Sequence, residues 1–273
     1  VFSRALKSIP LSPEARRALG VAESALDPDA LMRAILRAPV DLLYNGGIGT
    51  YVKATVELNV EVGDPQNDLH RVNGAELRAR VVGEGGNLGF TQAGRIEYAL
   101  KGGFNYSDAV DNSGGVDCSD HEVNLKILFD GVKGMTPKRR SQYLRRFNHA
   151  VIKDVLHDNY LQSLSISLDE SRSRSNAALF GRMIAEWDKR KLIDRSLEQL
   201  PDEDQLRDRQ QNGLGLTKPE LYVLMAWAKI DMKRRLLDSN LIGRPHMSRY
   251  AAEYFSPELR REFGREIAAH RLK

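Results

Sequence analysis

The segment DNSGGVDCSDHE, residues 111–122, concentrates side chains that could do chemistry. A cysteine, a histidine and several carboxylates follow one another, and these groups serve as zinc ligands and as partners in nucleophilic catalysis. Zinc ligands, however, come in pairs a few residues apart, usually with a second pair elsewhere, and the remaining histidines of the chain form no such pair. We therefore predict no metal site here.

Cys118 and Ser119 are the two remaining reactive groups of this segment. A lone cysteine is more often a packing residue than a nucleophile, even with His121 close in sequence. The run EVNLKILFDGV, residues 122–132, predicts a helix that begins near Ser119. A hydroxyl and free amides at a helix start suit a carboxylate or a phosphate, but Ser119 could equally well only cap its own helix. The residues alone leave both interpretations open.

Short apolar runs predict the strands that position such groups: VDLLY (40–44), ARVVGE (79–84) and FNYSDAV (104–110). Each run leads directly into a loop rich in glycine and asparagine. Open α/β sheets bind ligands beyond the carboxyl ends of their strands, where glycine permits close approach and asparagine both donates and accepts hydrogen bonds. The three loops together predict a ligand with amide, hydroxyl and phosphate groups.

The fold class follows from how these runs alternate with helices. Residues 27–38 and 92–100 predict helices between the strands, so the first part of the chain is expected to contain a parallel sheet. From about residue 120 onward the pattern is that of amphipathic helices. Capping signals, such as Asp27 and Ser256, each before a proline, and Thr217 three residues before Glu220, mark where the helices begin. We predict an incomplete α/β domain followed by an all-helical region.

Composition limits the functional classes. The 273 residues are 41% hydrophobic and 29% charged, as in globular proteins, and the longest apolar run is too short to span a membrane. A single cysteine favours a reducing compartment, and we expect a cytoplasmic location. The net charge of +4 is too small to indicate nucleic-acid binding. The basic run PKRRSQYLRRF (137–147) is expected to be a solvated helix face, with Tyr143 and Phe147 on its buried side.

Three long motifs resemble the large bacterial NAD-dependent glutamate dehydrogenases: VDLLYNGGIGTYVKA, RVVGEGGNLGFTQAGRIEYA and DAVDNSGGVDCSDHEVNLKI. The resemblance covers essentially the whole chain. It implies a partial Rossmann-like parallel sheet that lacks its N-terminal strands, followed by an all-helical C-terminal region. Residues 1–130 would form the C-terminal part of the dinucleotide-binding domain, and residues 131–273 a helical domain.

The resemblance also implies roles for individual residues. The loop of Asn45, Gly46 and Gly47 would pass beside the cofactor. The sequence differs from that of the more distant, smaller glutamate dehydrogenases at Asn45 and at residues 88–94. Asn87 and Asn112 would bind the nicotinamide ribose and carboxamide of the cofactor. The substrate pocket would be lined by Gly115, Val116 and Ser119. The Ser119 hydroxyl would bind the side-chain carboxylate of glutamate.

The resemblance implies an enzyme that oxidatively deaminates L-glutamate to 2-oxoglutarate and ammonia, with NAD as hydride acceptor. The chain has no G-x-G-x-x-G fingerprint and no motif for the catalytic lysines and aspartate of the family. Because their motifs are missing, we expect these residues upstream of this sequence in a longer protein, which the absence of an initiating methionine also suggests. The full-length enzyme is expected to be a homo-oligomer. The chain alone is then expected to be inactive.

The sequence is compatible with two alternative functions. One is a dehydrogenase for another amino acid, which Ser119 argues against because an apolar substrate needs no hydroxyl there. The other is a non-catalytic helical module for assembly or regulation. Neither a nucleic-acid partner nor a membrane partner is expected.

Overall fold

The computed structural model describes residues 2–271, which pack into two compact units. The first unit comprises residues 2–112 and 165–227, and the second comprises residues 113–164 and 228–271. This division follows packing; the predicted boundary after residue 130 stays a prediction.

The described residues form short strands and twelve α-helices. The strands are β1 (Ile9–Pro10), β2 (Ala25–Leu26), β3 (Leu42–Asn45), β4 (Val52–Lys53), β5 (Val72–Asn73) and β6 (Val81–Glu84). The helices are α1 (Pro13–Leu19), α2 (Pro28–Leu36), α3 (Asn59–Val62), α4 (Gln92–Leu100), α5 (Asp108–Asp111), α6 (Ser113–Asp130), α7 (Pro137–Ser175), α8 (Ala177–Lys189), α9 (Glu203–Gln211), α10 (Lys218–Leu237), α11 (Ser248–Glu253) and α12 (Pro257–Ala268). The predicted mixture of α/β structure and a helical C-terminal part is confirmed.

Two parallel strand pairs form the core of the α/β part, within the first unit. Strand β3 pairs with β6 and strand β4 with β5, whereas β1 and β2 form a separate antiparallel pair. Buried apolar side chains from these strands meet helix α4, whose Tyr98 donates its hydroxyl hydrogen to the carbonyl oxygen of Ala79 at 2.8 Å. A second apolar core in this unit is built mainly from α8, α9 and the first part of α10.

The capping signals predicted from the sequence are confirmed. Ser256 accepts from the amide of Leu259 at the start of α12, and Asp27 accepts from Ala30 at the start of α2. At the start of α10, the Glu220 carboxylate accepts from the Thr217 amide at 2.7 Å. Each bond satisfies a polar group that a helix terminus leaves free, so these helix starts are fixed locally.

The prediction of a strand over residues 104–110 is wrong. Phe104 alone makes a bridge, to Val81, and residues Asp108–Asp111 form helix α5. Ser107 precedes this helix in an extended conformation. Carboxylates in the first turn of the helix interact favourably with the positive end of its dipole. The predictions for β3, β6 and α4 are confirmed, and the described residues from 120 to 271 contain no strand.

The second unit has its own apolar core, in which aromatic rings from α6, α7 and α12 meet. Phe147 is buried and stacks on Tyr143 at a centroid distance of 6.2 Å, which confirms the buried side predicted for the basic run. Lys138 and Arg145 of that run are exposed. Among all the helices described, none has the length and apolar character to cross a membrane.

Candidate functional site

Strands β3 and β6 end side by side and carry two of the predicted glycine-rich loops. Asn45, the last residue of β3, lies opposite Glu84, the last residue of β6. The amides of Gly85 and Gly86 donate to the Asn45 carbonyl oxygen at 2.8 and 3.0 Å. The loop after β6 is therefore fixed by its backbone to the end of β3.

Gly86 allows the two loops to touch. A Cβ atom on Gly86 would lie 2.1 Å from the carbonyl oxygen of Gly47, so any larger residue would require a backbone to move. Gly47 and its neighbour Gly46 are exposed, and a Cβ atom on Gly47 would meet no atom within 4 Å. The loop after β3 thus presents bare backbone to its surroundings, as a loop that contacts a ligand closely should.

The Asn45 side chain has a donor that is not used within the protein. Its Oδ1 accepts from the amide of Gly47 at 3.3 Å. Its Nδ2 is buried and has no hydrogen-bond partner among the described residues. An unpaired buried donor is costly, and an acceptor atom on a ligand would satisfy it. This donor marks the end of β3 as part of a candidate binding site.

Two of the predicted cofactor residues, Asn87 and Asn112, are in direct contact. Nδ2 of Asn112 donates to Oδ1 of Asn87 at 2.6 Å. Asn87 lies exposed in the loop after β6, and Asn112 ends helix α5. Each amide retains further donor or acceptor capacity, so the pair can address a ligand that carries both kinds of group.

A buried ion pair lies at the base of the loop after β6. Arg95 of α4 binds the Glu84 carboxylate through Nε at 2.6 Å and through Nη2 at 2.9 Å. The two residues are 5% and 1% exposed, so both charges are removed from water. Arg95 also reaches Asp108 of α5 at 3.1 Å. Burial raises the pKa of the Glu84 carboxyl, against the opposing effect of Arg95.

Helix α5 is attached to the same loop through its carboxylates. The amide of Leu88 donates to Asp108 at 2.8 Å, and the amide of Glu84 donates to Asp111 at 2.9 Å. The network therefore joins the helix that ends in Asn112 to the loop that carries Asn87. This network was not predicted from the sequence, in which its one signal is a glutamate, Glu84, at the end of an apolar strand.

Asp111 gives the network a pH dependence. Burial raises the pKa of its carboxyl to about 6, with the Glu84 and Asp108 carboxylates adding to this effect. The folded-state pKa lies above the unfolded value, so the native state holds the proton more tightly. The stability contributed by protonated Asp111 is present below pH ~4 and is lost as the pH rises to about 6.

We therefore expect Asp111→Asn to stabilise the fold relative to the unmodified chain increasingly from pH 4 to pH 6, by about 1–2 kcal/mol at neutral pH. Urea unfolding of both proteins over this pH range measures the difference. A difference in stability that does not vary with pH would contradict the assignment of this titration to Asp111.

The predicted substrate residues lie in the second unit, near the start of α6. Gly115, Val116 and Ser119 are all exposed, Val116 to 71%. Ser119 does not begin a helix, because α6 already begins at Ser113, and its hydroxyl donates to the Gly115 carbonyl oxygen at 3.2 Å. Both interpretations that placed Ser119 at a helix start are wrong. Its implied contact with the glutamate carboxylate stays a prediction.

The early start of α6 has a cause in packing against α7. A Cβ atom on Gly114 would lie 3.6 Å from Cγ1 of Val155, so α7 passes close to the backbone here. Nδ2 of Asn159 donates to the Ser113 hydroxyl oxygen at 2.9 Å. These contacts outweigh the low helix propensity of the glycine pair. Cys118 on the same helix is free and exposed, so its interpretation as a packing residue is wrong.

Paired parallel strands whose carboxyl ends carry glycine- and asparagine-rich loops are the arrangement in which open α/β proteins bind their ligands. A family model described as bacterial NAD-glutamate dehydrogenase, catalytic domain, matches residues 1–169, and one described as glutamate dehydrogenase, C-terminal, matches residues 213–273. The chain belongs to the bacterial NAD-glutamate dehydrogenase family, which confirms the resemblance found in the sequence.

Similar proteins named NAD-specific glutamate dehydrogenase occur in several bacteria. The one from Pseudomonas aeruginosa is 46% identical over 276 aligned positions, the one from Halomonas elongata 45% over 276, and the one from Mycobacterium tuberculosis 44% over 282. Each alignment covers 100% of this chain and 17% of the relative. The chain therefore spans about a sixth of the length of these relatives.

Proposed function

We propose that this chain forms part of an enzyme that oxidatively deaminates L-glutamate to 2-oxoglutarate and ammonia with NAD. The observation that carries the proposal is the contact of Asn87 with Asn112, in which Asn87 belongs to the loop whose backbone is bonded to Asn45 at the end of β3. Family membership and the names of the relatives support NAD and glutamate as the ligands.

The cofactor would lie along the loops that follow β3 and β6. Asn87 and Asn112 would bind the nicotinamide ribose and carboxamide, which need both donors and acceptors. Gly46 and Gly47 would admit the ligand close to the backbone, and Asn45 would donate its unused Nδ2 hydrogen. NAD, when bound, supplies the hydride acceptor; this chain holds and orients it.

The substrate would contact Gly115, Val116 and Ser119. For Ser119 to bind the glutamate carboxylate, its hydroxyl must rotate away from the Gly115 carbonyl oxygen, which an exposed hydroxyl can do. The lysines and the aspartate that carry out proton transfer in the family would come from outside this chain.

The wider organisation is also proposed. The parallel pairs would belong to a Rossmann-like sheet, and the exposed apolar side chains of Leu42 and Tyr44, which share one face of β3, support a further layer packed on that face. The dinucleotide-binding part would cover residues 1–130 and the helical domain residues 131–273. We further propose a cytoplasmic homo-oligomer, the location being supported by the single, free cysteine.

The test is NADH formation from NAD and L-glutamate by the full-length protein. We expect activity with glutamate and little with valine or phenylalanine, and none from the 273-residue chain alone. Absence of glutamate-dependent activity in the full-length protein would refute the proposed function. Activity of the isolated chain would refute the expectation that this chain alone is inactive.

Within the full-length protein, Asn112→Ala is expected to raise the dissociation constant for NAD about tenfold, because one or two ligand hydrogen bonds are lost. Asn124→Ala is a matched control, since this asparagine lies further along α6 and bonds to Tyr254. Equal effects of the two substitutions on NAD binding would argue against the assigned role of Asn112.

A further inference from the structure

A second cluster of chemically capable side chains lies within the second unit and takes no part in the proposed function. Asp117 and His121 are one turn apart on α6, and Asp158 projects from α7. One ligand atom from each of the three lies within 4.8 Å of the other two. Ligands one helical turn apart, with a third from a facing helix, are how helical bundles build metal sites.

His121 supplies an independent sign of a missing ligand. The residue is 6% exposed, and its Nε2 is buried without a hydrogen-bond partner among the described residues. The nearest charged atom to it in this cluster, Oδ1 of Asp117, is 3.8 Å away, which is too far for a hydrogen bond. One ring face stacks on Tyr254 at a centroid distance of 4.8 Å, which holds the imidazole plane, and its Nε2 lies on the side of Asp117.

The surroundings of His121 carry an excess of negative charge. The carboxylates of Asp120, Asp154 and Asp158 all lie close enough to the Asp117 carboxylate to repel it. A bound cation would relieve this repulsion and would satisfy the unpaired nitrogen at the same time. Two carboxylates also balance the charge of a divalent ion.

Contrary to the expectation from ligand spacing within residues 111–122, which leaves out ligands from other helices, we propose that Asp117, His121 and Asp158 bind one divalent transition-metal cation that links α6 to α7. Imidazole with two carboxylates is a ligand set that suits Zn²⁺ and its neighbours in the first transition row. Zinc holds such ligands at about 2 Å, which places the ligand atoms about 3.4 Å apart. Asp117 is partly exposed and Asp158 is exposed, so rotation of their side chains can close the remaining distance.

The site is separate from the proposed substrate residues on the same helix. Ser119 lies two positions from both Asp117 and His121, and side chains at that spacing point to opposite sides of a helix. The cation would therefore fix the packing of α6 onto α7 without touching the substrate, and the inference does not depend on glutamate as that substrate.

The test uses protein that contains the whole chain, freed of metal with a chelator and titrated with Zn²⁺ by calorimetry. We expect one cation per chain, and a rise in Tm of about 5 °C when free zinc exceeds its dissociation constant about a hundredfold. Co²⁺ in place of zinc should give visible d–d absorption bands that report nitrogen and oxygen ligands directly. These measurements do not require enzymatic activity.

Two variants remove a ligand each. Asp158→Asn keeps the shape of an exposed side chain, and His121→Asn removes the buried imidazole; each should weaken zinc binding by at least about tenfold. Circular dichroism shows whether the loss of the buried His121 side chain disturbs folding. If it does, the Asp158 variant, which alters an exposed side chain, still tests zinc binding in a folded protein.

Two further variants control for adventitious binding. His157→Gln removes an exposed histidine next to Asp158, and Cys118→Ser removes the exposed thiol next to Asp117. Both should bind zinc as the unmodified protein does. The inference is overturned if no stoichiometric cation binds, if Asp158→Asn retains full affinity, or if Cys118→Ser abolishes binding.

Discussion

Replacement of Arg95 by Met is expected to lower the free energy of unfolding by about 3–5 kcal/mol at neutral pH. The substitution leaves the Glu84 carboxylate, which is 1% exposed, without the guanidinium that binds it through two nitrogens. Desolvation of a lone charge is far more costly than the loss of the attraction itself. Urea unfolding followed by circular dichroism measures the change, and at lower pH the loss should shrink because Glu84 can take up a proton.

The chain offers a matched control in another arginine–carboxylate pair. Arg80 lies 3.2 Å from Asp41, but these side chains are 82% and 89% exposed. Arg80→Met should therefore change stability by less than about 1 kcal/mol. Adding Glu84→Gln to Arg95→Met should restore part of the loss, since the most deeply buried carboxylate of the network is then removed. Equal destabilisation by the two single arginine substitutions would rule out burial as the cause.

Gly86→Ala is expected to destabilise the first unit by about 1–3 kcal/mol and, in the full-length protein, to weaken NAD binding at least about tenfold. The added methyl group would lie 2.1 Å from the Gly47 carbonyl oxygen and 3.0 Å from its carbonyl carbon. A backbone cannot rotate away from such a contact as a side chain can, so the two loops must separate. Thermal unfolding and NAD titration report the two effects.

Gly47→Ala tests the same contact from its open side. A Cβ atom on Gly47 meets nothing within 4 Å, so this substitution should leave the stability of the free protein within about 0.5 kcal/mol of the original. If Gly47→Ala destabilises the free protein as strongly as Gly86→Ala, the effect comes from loss of backbone freedom and not from the close approach. If Gly86→Ala leaves both stability and NAD affinity unchanged, the contact between the loops has no role.

Much of the α/β part could be predicted because its signals are local. Strand β3 is an apolar run that ends at Asn45, and β6 is one that ends at Glu84, directly before two glycines. Helix α4 begins after Thr91, whose hydroxyl oxygen accepts from the Gly94 amide. The strand prediction for residues 104–110 was wrong because an apolar run of this length fits a strand and a buried helix equally well. Val110 is indeed buried, but it belongs to the helical core of the first unit.

Some features of the candidate site have local sequence signals, and others depend on contacts between separate elements. Asn45, Asn87 and Asn112 could be singled out from the sequence because each follows a strand or an apolar run beside glycines. The ion pair of Glu84 with Arg95 depends on contacts between separate elements, which no spacing rule predicts. The placement of Ser119 failed for a related reason: packing onto α7 moved the helix start to Ser113.

The buried pair of Glu84 and Arg95 has a consequence for how this region can change during evolution. Replacing only one of the two residues leaves the other as an unpaired buried charge, so a protein with a single substitution is poorly stable. Related sequences should therefore keep both residues or replace both with uncharged ones. Arg80 and Asp41, which are exposed to water, should vary independently of each other.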